Sequence, residues 1–508
     1  MSSQSGEGQQ TSGQRTPARS TSARSTSAQP LTALSPQDTV ERALAAAKCD
    51  GCIVIADEGS SANLRWAGNS LTTNGVSRSR QLTVIAISRS GDEARVGVVS
   101  RAGVSGDQIP EIVAEAEYAA ADASPAEDAQ PLLTPDAVSS VAAVSSVAAV
   151  SSVAAAWDSP PAATEIGVFA GFARDLGNAF EVAAGGGRKL YGFAEHQLTS
   201  SYVGTSTGLR LKHDQPTGRL ELNAKSADLA SSAWAGLGTA DFTGVDVAGL
   251  EAGLAERLGW AARTLELPAG RYETLLPPTA LADLMIYMYW SAGAKDALDG
   301  RTVFSKPGGG TRVGEQLASL PLALRSDPAA PGLGCAPFVM AHASSRESSV
   351  FDNGLPRGRT DWIADGRLAA LTQTRHTAEL SGLPVTPAID NLIMAAPGAT
   401  GSIADLVSRT SRGLLLTCLW YIREVDPQTL LLTGLTRDGV YLVENGEVTG
   451  AVNNFRFNES PVSMLSRITE VGGTVPTLPR EWSDYFTRAA MPPVRVEGFN
   501  MSSVSQAS

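Results

Sequence analysis

Four cysteines and four histidines are all that 508 residues offer to a disulfide framework or a metal centre. So few cysteines in so long a chain exclude a stapled secreted scaffold and fit a reducing cytoplasm. The histidines, His196, His213, His342 and His376, are scattered, with no pair at a spacing that puts two on one helical face. A zinc hydrolase typically needs three protein ligands and an open position for water. Basic charge is short as well. Against 52 Asp and Glu there are only 40 Lys and Arg, a formal net charge of −12, which disfavours a phosphate-binding surface and hence nucleic acid as a partner. No run approaches the roughly 20 apolar residues that span a bilayer. The polar opening, Met1-Ser2-Ser3-Gln4 and onward, has no apolar core of the secretory kind. The expectation is a cytoplasmic protein with neither nucleic acid nor a membrane as partner.

What is present is a globular balance, 43% hydrophobic and 18% charged, with 50 Gly and 28 Pro marking many turns. That length calls for two or three cores. Residues 1–34, which are mostly Ser, Thr, Gln, Gly, Ala and Arg up to about residue 30, read as a disordered tail that cannot offset the entropy of ordering. At Ser35-Pro36-Gln37-Asp38 a helix start is predicted, with Ser35 as cap and Pro36 at the first helical position. Strand-like runs follow at 52–56, 64–67, 81–87 and 94–99, with turn signals at Gly68-Asn69 and Asn74-Gly75. A helix over 111–121 closes an α+β domain, 35–122. Within the linker 123–161 the hexapeptide Val-Ser-Ser-Val-Ala-Ala occurs three times, from Val138, Val144 and Val150, a period too short for a solenoid. The middle domain, 162–269, has a helix near 168–180, strands near 190–196 and 201–212, and an amphipathic helix over 247–265. The Gly204–Gly208 stretch reads as a bend or bulge in the second strand. From 270 to 496 short strands dominate, around an apolar helix at 280–290 with Asp283 as its one charge, and 497–508 reads as a second tail. The fold class is α+β, with N-terminal and middle α/β sandwich-like domains followed by a β-rich C-terminal domain.

Three motifs invite chemistry and do not carry it. Cys49-Asp50-Gly51-Cys52 has redox-pair spacing but leads into a strand, not into a helix whose N-terminus would lower a thiol pKa. The glycine runs Gly185–Gly187 and Gly308–Gly310 lack the Gly-Lys-Ser/Thr ending of a phosphate loop. Gly204-Thr205-Ser206-Thr207-Gly208 spells the serine-hydrolase elbow, yet strand-like residues continue through Lys212 where that elbow requires a helix.

Read together, several segments resemble the TldD/PmbA family. Ser61-Ala62-Asn63-Leu64-Arg65-Trp66 and Asn69–Gly75 resemble its N-terminal signature. Tyr191-Gly192-Phe193-Ala194-Glu195-His196 with Gly204–Gly208 is similar to its middle domain. Phe351-Asp352-Asn353-Gly354-Leu355-Pro356-Arg357-Gly358-Arg359-Thr360, Asp390-Asn391-Leu392-Ile393-Met394 and Tyr441-Leu442-Val443-Glu444-Asn445-Gly446 are similar to its C-terminal domain. The match runs in family order from about residue 37 to 496.

The resemblance implies a cytoplasmic heterodimer in which one subunit carries zinc, on a His-Glu-x-x-x-His helix plus a downstream cysteine, and the other does not. The helix that corresponds here reads Leu284-Met285-Ile286-Tyr287-Met288-Tyr289-Trp290-Ser291, and no cysteine follows Cys418. Losing both histidines and the cysteine removes the coordination sphere, so no metal or catalytic residue is assigned. The implied role is the PmbA-like or TldE-like subunit of a metallopeptidase acting on unfolded peptides, with zinc in a TldD-like partner. Asp352, Asn353 and Asn391 are the candidate substrate-binding residues, on polar turns. The alternative is an independent binding or regulatory protein of the gyrase-modulator type, without protease activity. The tail generates a first prediction. Deleting residues 1–30 should leave the thermal midpoint unchanged, since a segment with no core-forming side chains adds little to stability. A fall of several degrees in a calorimetric melt would contradict it.

Overall fold

The computed structural model describes residues 34–91, 93–144 and 156–505. The expected N-terminal tail, Leu34 apart, and most of the second and third hexapeptide copies lie outside the described residues.

The first helix, α1 (Pro36–Ala46), opens as its sequence dictates, with the Ser35 hydroxyl accepting the Asp38 N–H and Pro36 in the first turn. It leads into β1 (Gly51–Trp66) and β2 (Leu71–Ser90), a long hairpin. The turn falls at Gly68 and Asn69, both with positive φ. Asn74-Gly75, the stronger turn signal by type, lies instead inside β2, opposite Leu64 and Asn63. The hairpin had already reversed five residues earlier, and once paired with β1 these residues need no left-handed backbone.

After β3 (Glu93–Ala102), helix α2 (Ile109–Asp122) returns over the sheet, and α3 (Pro135–Val144) carries the first hexapeptide copy, with Val138 buried. Helix α4 (Ala170–Gly185) precedes β4 (Lys189–Thr205), β5 (Arg210–Lys225) and β6 (Ser232–Thr239). The six strands form one antiparallel sheet in the order β3-β2-β1-β4-β5-β6. The segments assigned to an N-terminal and a middle domain therefore share a single sheet, because β1 and β4 pair along 14 positions from Ile53–Thr205 to Trp66–Gly192. The Gly204–Gly208 stretch is not a bulge. It is the β4–β5 hairpin turn, with Gly208 at φ +98° and the Gly208 N–H bonded to the Thr205 carbonyl.

Both faces of the sheet are covered along the first part of β1. Cys52, Val54 and Ala56 meet α1 and α2, whereas Ile53 and Ile55 meet Phe338, Val350 and Phe351 from the C-terminal half. This two-sided burial explains the unbroken apolar run. Further along, Leu64, Trp66, Leu220 and Leu222 pack on α4 and on α5 (Val247–Trp260). The latter helix ends earlier than its amphipathic pattern, since Thr264–Leu265 instead pair in parallel with Ala451–Val452.

The C-terminal half holds a six-stranded mixed sheet and a ten-stranded sheet. Helix α6 (Pro278–Trp290) lies in the core to which both contribute, among Leu324, Leu392, Leu414, Met491 and Val494. The expected second tail is structured up to residue 505. Its residues 497–504 complete the strand Val494–Val504, which bonds to Gly270–Leu276 and Phe455–Glu459. Their alternating Phe499 and Met501 are fully buried. No helix among the described residues is long and apolar enough to cross a membrane.

The sheet and α2 approach at Gly97, where an added Cβ would come within 2.1 Å of the Ala116 carbonyl oxygen and 2.3 Å of the Ala120 nitrogen. Gly97→Ala must push the helix away and should lower stability by about 1–3 kcal/mol in urea denaturation. Gly75→Ala, whose Cβ meets nothing closer than 3.6 Å, should stay within about 0.5 kcal/mol of the parent.

Candidate functional site

A cavity of about 1030 Å³ opens where the first sheet meets the C-terminal half. Five stretches far apart in sequence wall it. They are His213–Thr217 of β5, Gly238–Ala240 at the end of β6, the loop Asp327–Cys335, the turn Arg357–Arg359, and Thr487-Arg488. Strand β5 reaches the cavity with one edge left unpaired by any strand among the described residues. It pairs with β4 along its whole length, but β6 covers it only from Gly218 to Lys225. Pro216, which has no N–H to donate, stands in this uncovered stretch, as proline in a sheet should.

Charge on the wall is uneven. Arg357, with a side chain 11% exposed, gives Nη1 to Asp390 at 3.2 Å, while its buried Nε has no partner. Arg488 donates to the Pro216 carbonyl at 3.1 Å and to the Thr217 hydroxyl. Burial pulls its guanidinium below the usual arginine range. Arg359 reaches Asp361 at 3.1 Å from a half-exposed position. The two carboxylates of the wall are already occupied. Asp214 accepts Lys212 Nζ at 2.9 Å and the Ser200 hydroxyl, and Asp327 accepts the Ala329 N–H. Burial holds His213 below its ordinary pKa, hence neutral near pH 7, and pushes the Cys335 thiol up to about 11.

Asp352, Asn353 and Asn391 are not among the residues that line the cavity. All three are at least 98% buried. The Asn353 amide accepts the Ala341 N–H at 2.7 Å and donates to the Ala341 and Val350 carbonyls, both at 2.9 Å. Asn391 does the same for the cavity loop, accepting the Asp327 N–H and donating to the Asp327 and Leu333 carbonyls at 2.6 and 2.8 Å. Asp352 binds the side chain and backbone N–H of Arg375, at 2.7 and 3.1 Å. Burial raises the Asp352 carboxyl despite that arginine. Their polar atoms are committed to the protein, so they position loops and leave nothing for a ligand.

The other sequence signals resolve as local structure. Ser206 accepts the Cys52 N–H at 3.0 Å in a hairpin turn, with no helix behind it. The Cys52 thiol draws the Cys49 thiol down to about 7 by hydrogen bonding. His196 Nε2 bonds the Ala240 carbonyl and Nδ1 the Thr164 hydroxyl, both at 2.7 Å. His342 bonds Asp57 at 2.9 Å.

Zinc does not fit α6. Its single carboxylate, Asp283, is fully buried and accepts the Glu481 and Arg480 N–H groups at 2.9 and 3.3 Å. Burial drives that carboxyl well above its usual range. Among the described residues, no three of His, Cys, Asp and Glu come together as a metal site.

Residues 269–503 match the family described as the PmbA/TldA metallopeptidase C-terminal domain. That stretch of the chain belongs to the TldD/PmbA family. Comparison with curated proteins found no match. Among solved structures it is similar to TldE from Thermococcus kodakarensis, with a TM-score of 0.72 at 14% identity over 91% of this chain and 99% of that one. Two candidate modulators of DNA gyrase are also similar. The one from Thermotoga maritima has a TM-score of 0.68 at 17% identity over 91% and 99% of the two chains. The one from Bacteroides thetaiotaomicron has 0.69 at 13% over 92% and 98%. At such identities these likenesses establish the fold alone.

The cavity residues follow no local pattern that sequence reading could have found. Of them only Arg357, Gly358 and Arg359 stood in a segment singled out beforehand.

The amide clamps generate a prediction. Asn353→Ala strips partners from the Ala341 N–H and from two carbonyls, at about 1–3 kcal/mol for a buried group left unsatisfied. Stability and any peptide-linked activity should fall together. Slower turnover with an unchanged melting temperature would show direct ligand contact instead.

Proposed function

We propose that this TldD/PmbA-family chain is the zinc-free, TldE-like subunit of a heterodimeric cytoplasmic metallopeptidase. It offers extended, unfolded peptide a binding surface while a TldD-like partner supplies zinc and the hydrolytic step. The observation that carries this reading is α6. The helix that corresponds to the ligand-bearing one has no imidazole, and its one carboxylate is spent on backbone N–H groups. Such a helix holds a core together and leaves metal chemistry to another chain.

The bare edge of β5 supports the peptide part. An extended chain can add to a free strand edge through backbone hydrogen bonds, which gives affinity with little demand on side chains. That suits unfolded peptides of varied sequence. The scarcity of cysteine suits the cytoplasm.

Purified alone, the protein should retain no stoichiometric zinc after dialysis against a mild chelator and should cleave no unfolded peptide. Isolated from native cells, it should bring down a zinc-bearing TldD-like chain, and the pair should hydrolyse peptides. One zinc per chain in the isolated protein would sink the proposal. Recovery of gyrase subunits in place of a peptidase would favour the regulatory reading, which the two candidate gyrase modulators of similar fold keep in view.

A further inference from the structure

Arg488 is a cation that the cavity leaves unmet. Its two contacts are a carbonyl and a hydroxyl, and no carboxylate lies within ion-pair distance among the described residues. Asp390 acts on it only at longer range and is already engaged by Arg357. A guanidinium stays charged when buried, so its desolvation is offset only when a matching anion arrives, and its planar fork matches a carboxylate. Arg357, with its orphaned Nε, and Arg359 line the same space. Asp214 is paired with Lys212, Arg357 with Asp390 and Arg359 with Asp361, which leaves Arg488 as the guanidinium of the wall without an ion pair among the described residues.

The strand edge adds direction. A peptide laid along the bare stretch of β5 runs into Thr239, where β6 begins to cover Gly218. It must end or turn there, and Arg488 bonds Pro216 and Thr217 beside that stop. We infer that the cavity recognises a peptide carboxylate, the C-terminal one, seated on Arg488 with Arg357 and Arg359 beside it. The peptide then lies parallel to β5, with its last residue at the β6 end. This rests on the peptide-binding reading above and deepens it, since the chain selects the free end of its substrate and not only an extended backbone.

The test uses the full-length chain and fluorescence anisotropy with a short fluorescein-labelled peptide of alternating Thr and Ala. One form ends in a free carboxylate, one in an amide, and one is an amide with Glu at the last position. The free acid should bind at least about tenfold more tightly than the plain amide, a difference well above the scatter of such assays. Arg488→Gln should abolish that difference. Because Arg488 also holds Pro216 and Thr217, Arg359→Gln at a half-exposed site serves as a second variant, weakening the acid several-fold and the amide not at all, with melting temperatures recorded for both. Equal binding of acid and plain amide overturns the inference and leaves the peptide reading standing. Binding of neither overturns both. If the Glu-bearing amide matches the acid, a carboxylate is recognised but the terminal assignment fails. Displacement by inorganic phosphate at lower concentration than by acetate overturns the carboxylate class.

Discussion

A carboxylate buried in β5 decides where much of the molecule sits. Glu221 accepts the Trp234 indole at 3.0 Å, the Arg480 guanidinium at 2.8 Å and the Ser483 hydroxyl at 2.9 Å. An ion at that depth is tolerated only while its lone pairs meet donors, and removing one partner of such a pair costs about 3–5 kcal/mol. An exposed pair such as Arg78–Glu165 is worth about 0–1 kcal/mol. The segment from Arg480 to Ser483 is therefore tied to the first sheet. The same few residues give two N–H groups to Asp283 of α6, and the Glu481 carboxylate takes the Tyr421 and Ile422 N–H groups. One strap joins the first sheet, the central helix and an edge strand of the ten-stranded sheet.

That strap also accounts for the character of α6. A helix whose Asp283 must accept backbone N–H groups, and whose Trp290 and Tyr287 rings pack on Trp482, has no wet face on which imidazoles could hold a metal. The helix appears in sequence as an apolar run with one charge, and the structure supplies the reason for the charge.

Much of the architecture was legible because it rests on local chemistry. The Ser35 cap, the apolar strand runs and the Gly68-Asn69 turn, with both residues at positive φ, are decided by the residues themselves. Misreadings arose where pairing overrode local preference. Asn74-Gly75 was captured by β1, Gly204–Gly208 became a hairpin turn because β4 and β5 are each longer than their apolar cores, and the end of the chain was drawn into a sheet by Phe499 and Met501. Asp352, Asn353 and Asn391 were singled out as candidate substrate-binding residues on polar turns. Their burial, and hence their role as loop clamps, depends on backbone partners up to 64 residues away. The cavity could not be read at all, since its walls come from five segments that only the folded chain assembles.

The bare edge and the unmet cation have one cause. Strand β6 stops at Thr239 because the strap passes its end. An added Cβ at Gly238 would lie 2.3 Å from the Thr487 carbonyl oxygen, and His196 holds the Ala240 carbonyl just beyond. The chain then turns away through Phe242, whose φ of +61° is held by its packing against Phe169 and Phe172. Cutting β6 short exposes the edge of β5, and the residue after Thr487 is Arg488, delivered to the end of that edge. The strap that Glu221 anchors thus closes the core on one side and leaves the end of β5 unpaired on the other, which ties the chain's stability and the proposed peptide surface to the same few hydrogen bonds.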